Sequence, residues 1–361
     1  MTPKDWAGRA LASVLDRAAV TRTDVGTRFP LYADPGSGRW TTTGRGSWTG
    51  GFWAGLLWLR ARYTGAEADR AAASECTARL APWADADTVT RGLILWYGTA
   101  LAFGDGEATA LRSRAAQACL GAMDPGLGLI PWGSALGGPR LLARADGVPG
   151  MVPLLAAAGP EGAAAAGAHL QRHLDLCLGD DGLRPAWRFD AETGWHPCED
   201  PPPGWSRGRA WLLLAVADAL HRTPGPPPHG LVRAAERLLS EATLPSGPLV
   251  PFADRSRPEG PLDSSAAAIT AVALLKLARM PGSTARVCSC RAVAVLNRLV
   301  EAHLSPPTAD GPAAHRPAGM LLDGCYDSAK GTAVRHELIW GDFFLALGLA
   351  ALTGLVDITQ V

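Results

Sequence analysis

Trp205-Ser206-Arg207-Gly208-Arg209-Ala210-Trp211 follows the run Pro201-Pro202-Pro203-Gly204 and opens an apolar pattern that continues to residue 222. Proline and glycine punctuate the chain there, so the spacing predicts a helix over 205–222. Arg207 carries a planar, permanently charged fork suited to a carboxylate, and each Trp offers a flat apolar face on which a sugar ring can stack. An ordinary helix start with aromatic core residues would have the same composition. Helical periodicity extends outward from this block in both directions. It predicts twelve helices, near 3–20, 49–64, 67–82, 89–103, 107–122, 147–158, 160–178, 205–222, 230–243, 263–279, 286–303 and 337–354. Loops between them hold Gly, Pro, Trp and Asp, and runs such as Ala163-Ala164-Ala165-Ala166 favour helix and close helix–helix approach. No strand–helix alternation is visible, which argues against a doubly wound α/β fold. Twelve helices without a central linker imply six helical hairpins closed into one all-α (α/α)6 barrel, a single domain over 1–361. The competing open α-solenoid lacks the repeat of fixed length it would need. Pro224-Gly225-Pro226-Pro227-Pro228 is short and reads as a rigid inter-helix loop rather than a domain linker.

Composition bounds the function. The chain has 361 residues, ample for a sizeable core, and a formal net charge of zero with no basic run, so nucleic acid is not an expected partner. Met1-Thr2-Pro3-Lys4-Asp5-Trp6 lacks the apolar core of a signal peptide, and the apolar runs are too short to span a bilayer. Seven scattered Cys, an odd number, read as reduced thiols in a cytoplasmic protein, and Cys288-Ser289-Cys290 is too tight for the usual zinc spacing. Thirteen Trp against four Tyr is a skewed choice. Several of those Trp fall in loops or at helix starts, which suits carbohydrate stacking.

Five blocks, in order along nearly the whole chain, resemble the unsaturated glucuronyl hydrolases. The first is Phe29-Pro30-Leu31-Tyr32 with Ser47-Trp48-Thr49-Gly50-Gly51-Phe52-Trp53-Ala54-Gly55-Leu56-Leu57-Trp58-Leu59, similar to the family's "WTxGFWxGxLWL". Arg144-Ala145-Asp146-Gly147, with Pro153-Leu154-Leu155 beyond it, is the second. The third joins His196 to the Trp205–Trp211 block. Asp263-Ser264-Ser265-Ala266-Ala267-Ala268-Ile269 is similar to "DSSAxAI", and His336-Glu337-Leu338-Ile339-Trp340-Gly341-Asp342-Phe343-Phe344 to "xESxIWGDYY". The interval from Asp146 to Pro153 looks more like the related unsaturated rhamnogalacturonyl hydrolases.

The resemblance implies a small-molecule substrate, an oligosaccharide ending in a uronic acid with a C4=C5 double bond, and no cofactor, metal or membrane. The family reaction is hydration of that enol ether. A carboxylic acid protonates C4, the ring oxygen shares the developing positive charge, and water adds at C5. The hemiketal then opens and expels the remaining sugar. One carboxyl must change protonation state within the cycle.

On this resemblance Asp146 is the expected catalytic acid/base, although an Asp at a helix start is also a preferred N-cap. The family's other Asp belongs to a "HDxGF" motif. The matching stretch here, Thr88-Val89-Thr90-Arg91-Gly92-Leu93, places Thr90 in its position, and Thr cannot act as a general acid. His196, nine residues before Trp205, matches a substrate-binding His. Arg207 is the expected partner of the uronate carboxylate. Trp48, Trp53, Trp205 and Trp211 are candidate stacking walls, about two of which should touch substrate. Asp263 reads as a helix cap and Asp342 as an orienting group. His169 and His173 lie four apart on one helix, but His-Leu-Gln-Arg-His lacks the Glu of a zinc hydrolase and no third ligand is evident, so no metal is expected. The leading function is hydration of an unsaturated uronic acid or related enol-ether sugar. The replacement at Thr90 keeps two alternatives open: a barrel repurposed for a specialised biosynthetic step, and an inactive barrel that only binds carbohydrate.

Overall fold

The computed structural model describes residues 3–179, 182–222, 228–241, 246–282, 284–306 and 316–361. Among them are twelve α-helices: α1 (Pro3–Val25), α2 (Gly50–Thr64), α3 (Glu67–Ala78), α4 (Tyr97–Thr99), α5 (Gly106–Leu120), α6 (Met151–Ala156), α7 (Pro160–Cys177), α8 (Ser206–Arg222), α9 (His229–Glu241), α10 (Ser264–Leu277), α11 (Thr284–Ala302) and α12 (Ile339–Thr353). Each falls within or close to a segment the periodicity marks. The expected helix 89–103 differs most: a π-helical turn, Gly92–Trp96, runs into the single turn of α4. The Pro-rich loop lies largely outside the described residues, as do 242 and 243 of the expected ninth helix.

Sequence decides which helices are inside. α12 is buried without interruption from Ile339 to Ala350, and α10 is apolar on every side. A helix apolar all round has to be enclosed. By contrast, α9 buries Ala234, Ala235, Leu238 and Leu239, one stripe at helical spacing. The enclosed helices form a ring. α2 touches α4, the π turn touches α6, α6 touches α8, α8 touches α10, α10 touches α12, and α12 closes on α2. Outside it, α3 packs on α2, α5 and α7 on α6, α9 on α8, α11 on α10, and α1 on α12. The fold is therefore an (α/α)6 barrel, and the closed ring excludes an open solenoid. Among the described residues, no helix is long and apolar enough to cross a membrane.

Short strands, absent from the expected layout, dress the loops at one end. They are β1 (Phe29–Ala33), β2 (Trp40–Thr43), β3 (Leu142–Arg144), β4 (Leu178–Gly179), β5 (Gly182–Leu183), β6 (Ala186–Asp190), β7 (Gly194–Pro197), β8 (Gly324–Asp327) and β9 (Thr332–Leu338). They pair as β2-β1-β9-β8, β3-β6-β7 and β4-β5, antiparallel throughout.

The ring closes tightly where the π turn meets the start of α6. A Cβ on Gly92 would lie 2.3 Å from the Met151 amide nitrogen, and one on Gly150 (φ 71°) 2.3 Å from the Gly92 carbonyl oxygen. Backbone touches backbone here, so neither side can yield by changing a rotamer. Replacing Gly92 by Ala is expected to lower stability by at least about 2 kcal/mol, the upper range for overpacking, because the ring itself must open. Thermal melts of wild type and Gly92→Ala check this, and an unchanged melting temperature would show that the two segments can separate freely.

Candidate active site

The Gly92–Gly150 contact sets two loops side by side, one ending in Thr88-Val89-Thr90 and the other carrying Asp146. Val89 packs on Gly147, where a Cβ would lie 2.9 Å from the Val89 Cγ1 atom. Asp146 sits in a 3-10 turn, Ala145–Gly147, after β3. Its side chain is 17% exposed, and the Arg144 fork grips both oxygens: Nε donates to Oδ1 and Nη2 to Oδ2, each at 3.0 Å. Burial opposes the Arg144 charge, but the Asp146 carboxylate outweighs it and raises the guanidinium pKa. The Arg144 guanidinium also lies over the Trp132 ring, 4.6 Å from its centroid.

Asp146 lines a cavity of about 920 Å3 at the barrel mouth. Of the eight residues expected at the site, seven line it: Trp48, Thr90, Asp146, His196, Trp205, Arg207 and Trp211. Trp53 does not. It lies in the first turn of α2, 3% exposed, within the hydrophobic core, so its place is that of a packing residue. The half-buried Trp48 donates its indole N–H to the Tyr326 hydroxyl at 3.2 Å and packs on Trp340, with centroids 4.8 Å apart. Trp205 is half-buried across the cavity, whereas Trp211 is almost wholly enclosed and stacks on Phe52. Trp48 and Trp205 therefore offer the larger faces to a ligand. Thr90 is buried, and its hydroxyl is paired with that of Thr88 at 2.9 Å.

Arg207 is committed elsewhere than expected. It is 4% exposed, and one terminal nitrogen donates to Asp263 and to the Cys325 carbonyl oxygen (2.7 Å). The other donates to the Tyr326 carbonyl oxygen at 2.8 Å. Asp263 caps α10 by accepting from the backbone N–H groups of Ser265 and Ala266. Arg207 therefore binds the protein with both arms of its fork. Asp342 is buried and accepts from the Leu321 N–H at 3.3 Å, fixing a loop as expected.

Strand alternation supplies residues the motif search missed. In β3-β6-β7, Leu142 faces Arg188, which faces His196. Leu142, Arg144, Arg188 and His196 all line the cavity, while Ala143, Phe189 and Trp195 turn into a small apolar cluster. Arg144, two residues before Asp146, could have been found by assuming an extended approach to the turn. Tyr326, Lys330 and Trp132 carry no such local signal.

The two histidines of α7 hold the Asp146 turn from behind. The Ile130 N–H donates to His169 Nδ1 at 3.1 Å, so Nε2 carries the ring proton and donates to the Gly147 carbonyl oxygen at 3.2 Å. His173 Nδ1 donates to the His169 carbonyl oxygen at 2.8 Å. Burial pushes His173 down to about 4, and burial with the neighbouring His173 pushes His169 well below its ordinary value.

A closed ring of paired helices with a carboxyl and tryptophans at one mouth defines a glycoside-hydrolase-like enzyme of the six-hairpin type. The chain resembles the unsaturated glucuronyl hydrolases in sequence and in fold. It is 28% identical over 368 residues to the unsaturated glucuronyl hydrolase of Bacillus sp. strain GL1, covering 93% of this chain and 94% of that one. A UGL variant structure with the oligosaccharide dGlcA-Glc-Rha-Glc superposes with a TM-score of 0.78 at 25% identity, over 95% of this chain and 96% of the other. An unsaturated glucuronyl hydrolase specific for heparin gives a TM-score of 0.82 at 19% identity, covering 98% and 99% of the two chains, a likeness of fold alone. No model of a protein family matches the chain.

Two outcomes follow from this geometry. Removing one partner of a buried ion pair costs roughly 3–5 kcal/mol because the other charge is left unpaired. Arg207→Ala should therefore lower stability on that scale, and denaturant unfolding would read it. A change below about 1 kcal/mol would return Arg207 to a purely ligand-facing role.

Second, His173 binds its proton at about 4 when folded and near 6.5 when unfolded. Its stabilising contribution is complete above pH 6.5 and disappears as pH falls through that window, roughly 3 kcal/mol in all. His169 acts in the same direction. Asp342, pushed well up by burial and by Glu337, acts oppositely. A His173→Gln protein should lose less stability than wild type between pH 6.5 and pH 4, and parallel losses would contradict the assignment.

Proposed function

We propose that the protein hydrates the C4=C5 double bond of a terminal unsaturated uronic acid, with Asp146 as both acid and base. The observation that carries this is Asp146, gripped by Arg144 in the cavity at the mouth of the barrel that Trp48 and Trp205 also line. The cavity of about 920 Å3 has room for an oligosaccharide end rather than a lone small metabolite. The related Bacillus enzyme and the oligosaccharide-bearing neighbour support the same substrate class. A single domain spanning the chain is consistent with one hydrophobic cluster running from Ala7 to Val361.

In this mechanism the tryptophan faces hold the terminal ring with C4 toward Asp146. The carboxyl gives its proton to C4, and the C–C double bond supplies the electron pair. Positive charge appears at C5 and is shared with the ring oxygen. Arg144 stabilises the carboxylate that this transfer leaves behind, with both oxygens already in register. The same carboxylate then takes a proton from the water that adds to C5, and the hemiketal opens with loss of the leaving sugar. Thr90, which has no charge to offer, serves as a hydrogen-bonding wall beside Thr88.

The test uses Δ4,5-glucuronyl disaccharides and follows loss of the enol-ether absorbance. Wild type should consume at least one of them. Asp146→Asn, nearly isosteric, should reduce turnover by about 100-fold or more, the typical contribution of general acid–base catalysis, while melting within a few degrees of wild type. Turnover by the variant at the wild-type rate would remove Asp146 from the chemistry, and wild type inert toward every disaccharide would defeat the hydration reading.

A further inference from the structure

Asp87 is not among the residues that line the cavity, yet it holds one wall of it in place. Residues 132–142 form a hairpin. Its base closes through the Trp132 N–H on the Leu142 carbonyl oxygen (3.0 Å) and the Gly133 N–H on the Arg140 carbonyl oxygen (3.1 Å). Leu136, Gly137, Gly138 and Pro139 at its tip line the cavity. The tip has little to stiffen it from within. Gly133, Gly137 and Gly138 sit at φ 85°, 78° and 85°, and a single turn bond, from the Gly137 N–H to the Ser134 carbonyl oxygen at 3.2 Å, spans it.

Asp87 fixes the hairpin from outside. Its Oδ2 atom accepts from the Ser134 N–H (3.1 Å), the Ser134 hydroxyl (2.9 Å) and Arg140 Nε (3.0 Å). Its own carbonyl oxygen accepts from the Ala135 N–H at 3.0 Å. Gly133 passes so close that a Cβ there would lie 2.1 Å from that carbonyl oxygen. The side chains of Arg140 and Asp87 are 57% and 45% exposed, so as an ion pair alone they would contribute little. What matters is that one carboxylate oxygen gathers donors from both arms of the hairpin.

The hairpin in turn touches the group that holds Asp146. Trp132 donates its indole N–H to the Gly137 carbonyl oxygen at 3.1 Å, so the ring moves with the tip. The Arg144 guanidinium lies over that ring, 4.6 Å from its centroid, while Nε and Nη2 hold the two oxygens of Asp146. The stack fixes a face of the guanidinium and the carboxylate fixes its edge. We propose that Asp87 is a positioning residue for Asp146, acting through the hairpin, Trp132 and Arg144. The proposal rests on the hydration reading for what Asp146 does, but the link from Asp87 to Arg144 can be observed without any turnover.

The experiment compares wild type with Asp87→Ala, Arg140→Gln, Arg144→Gln and the double variant Asp87→Ala/Arg144→Gln. Nuclear magnetic resonance reads the Nε–H signal of Arg144, assigned by its loss in Arg144→Gln and displaced in wild type by the Trp132 ring. In both Asp87→Ala and Arg140→Gln that signal should move toward the position of an unstacked arginine. Saturated turnover of a Δ4,5-glucuronyl disaccharide should fall about 10-fold or more in Asp87→Ala, since a misplacement of about 1 Å can cost about 100-fold. In the Arg144→Gln background the same substitution should change kcat by less than about twofold, because residues that act through one partner are not additive. A residue that only steadied the loop would have the same effect on kcat in both backgrounds. An Arg144 signal unmoved in both Asp87→Ala and Arg140→Gln, an unchanged kcat in Asp87→Ala, or a loss that persists in full in the Arg144→Gln background overturns the proposal. If wild type hydrates none of the disaccharides, the hydration reading fails, and the Arg144 signal still decides whether Asp87 positions that side chain.

Discussion

The buried pair of Arg207 and Asp263 is the joint on which the mouth of the barrel depends. One Asp263 oxygen caps α10 and the other meets Arg207 at the start of α8. Ser265, in the first turn of α10, donates to Asp263 and accepts the Trp340 indole N–H at 3.0 Å, bringing in α12. The remaining donors of Arg207 fix the carbonyls of Cys325 and Tyr326 in β8. Three inner helices and a strand thus meet through one guanidinium and one carboxylate. Such a pair gives little net stability compared with apolar residues of the same shape, but it tolerates few other arrangements. Its contribution is geometric: Tyr326 is fixed where its hydroxyl receives the Trp48 indole N–H, and one wall of the cavity follows.

The barrel was legible because its inner helices announce themselves. Segments such as Ser264–Leu277 and Ile339–Thr353 are apolar all round and capped by Asp263 or ended by Gly354, signals that need no partner to be read. The strands were not legible. β3 is three residues long, too short for alternation to declare itself, and its partner Arg188 lies more than forty positions away. The sheet joining Tyr32 to Leu338 spans almost the whole chain. Pairings of that separation are decided by tertiary packing and leave little trace in a local window. The π turn is similar, since it starts where Gly92 lies against the backbone of Gly150 and Met151, a contact remote in sequence.

At the site, position was easier to read than role. Seven of the eight expected residues meet at one cavity, because motifs at hairpin ends must converge once the barrel closes. Roles depended on partners that the motifs do not contain. Arg207 between two tryptophans has the chemistry of a carboxylate receptor, but its partner is an internal carboxylate from the next inner helix. Trp53 follows Trp48 by five residues, yet the helix begins between them, so one indole faces the cavity and the other the core. Arg144 stands in the same motif as Asp146 but drew no role from it, and Arg188 lies in none of the five blocks. They reach the cavity because the pleat of β3 and β6 sends every second side chain there.

The exchange of a carboxylate for Thr90 makes sense against this charge pattern. The segments bearing Thr90 and Asp146 are in van der Waals contact through Val89 and Gly147, so an acid at position 90 would join Asp146 in lining one cavity. Two neighbouring carboxylates repel, and one would be driven to hold a proton. Here the Thr88 and Thr90 hydroxyls satisfy each other without charge, and Arg144 serves Asp146 alone. On the proposed reading one carboxyl, held by Arg144, both gives and takes the proton, with Arg188 and His196 facing the same cavity from the neighbouring strands β6 and β7.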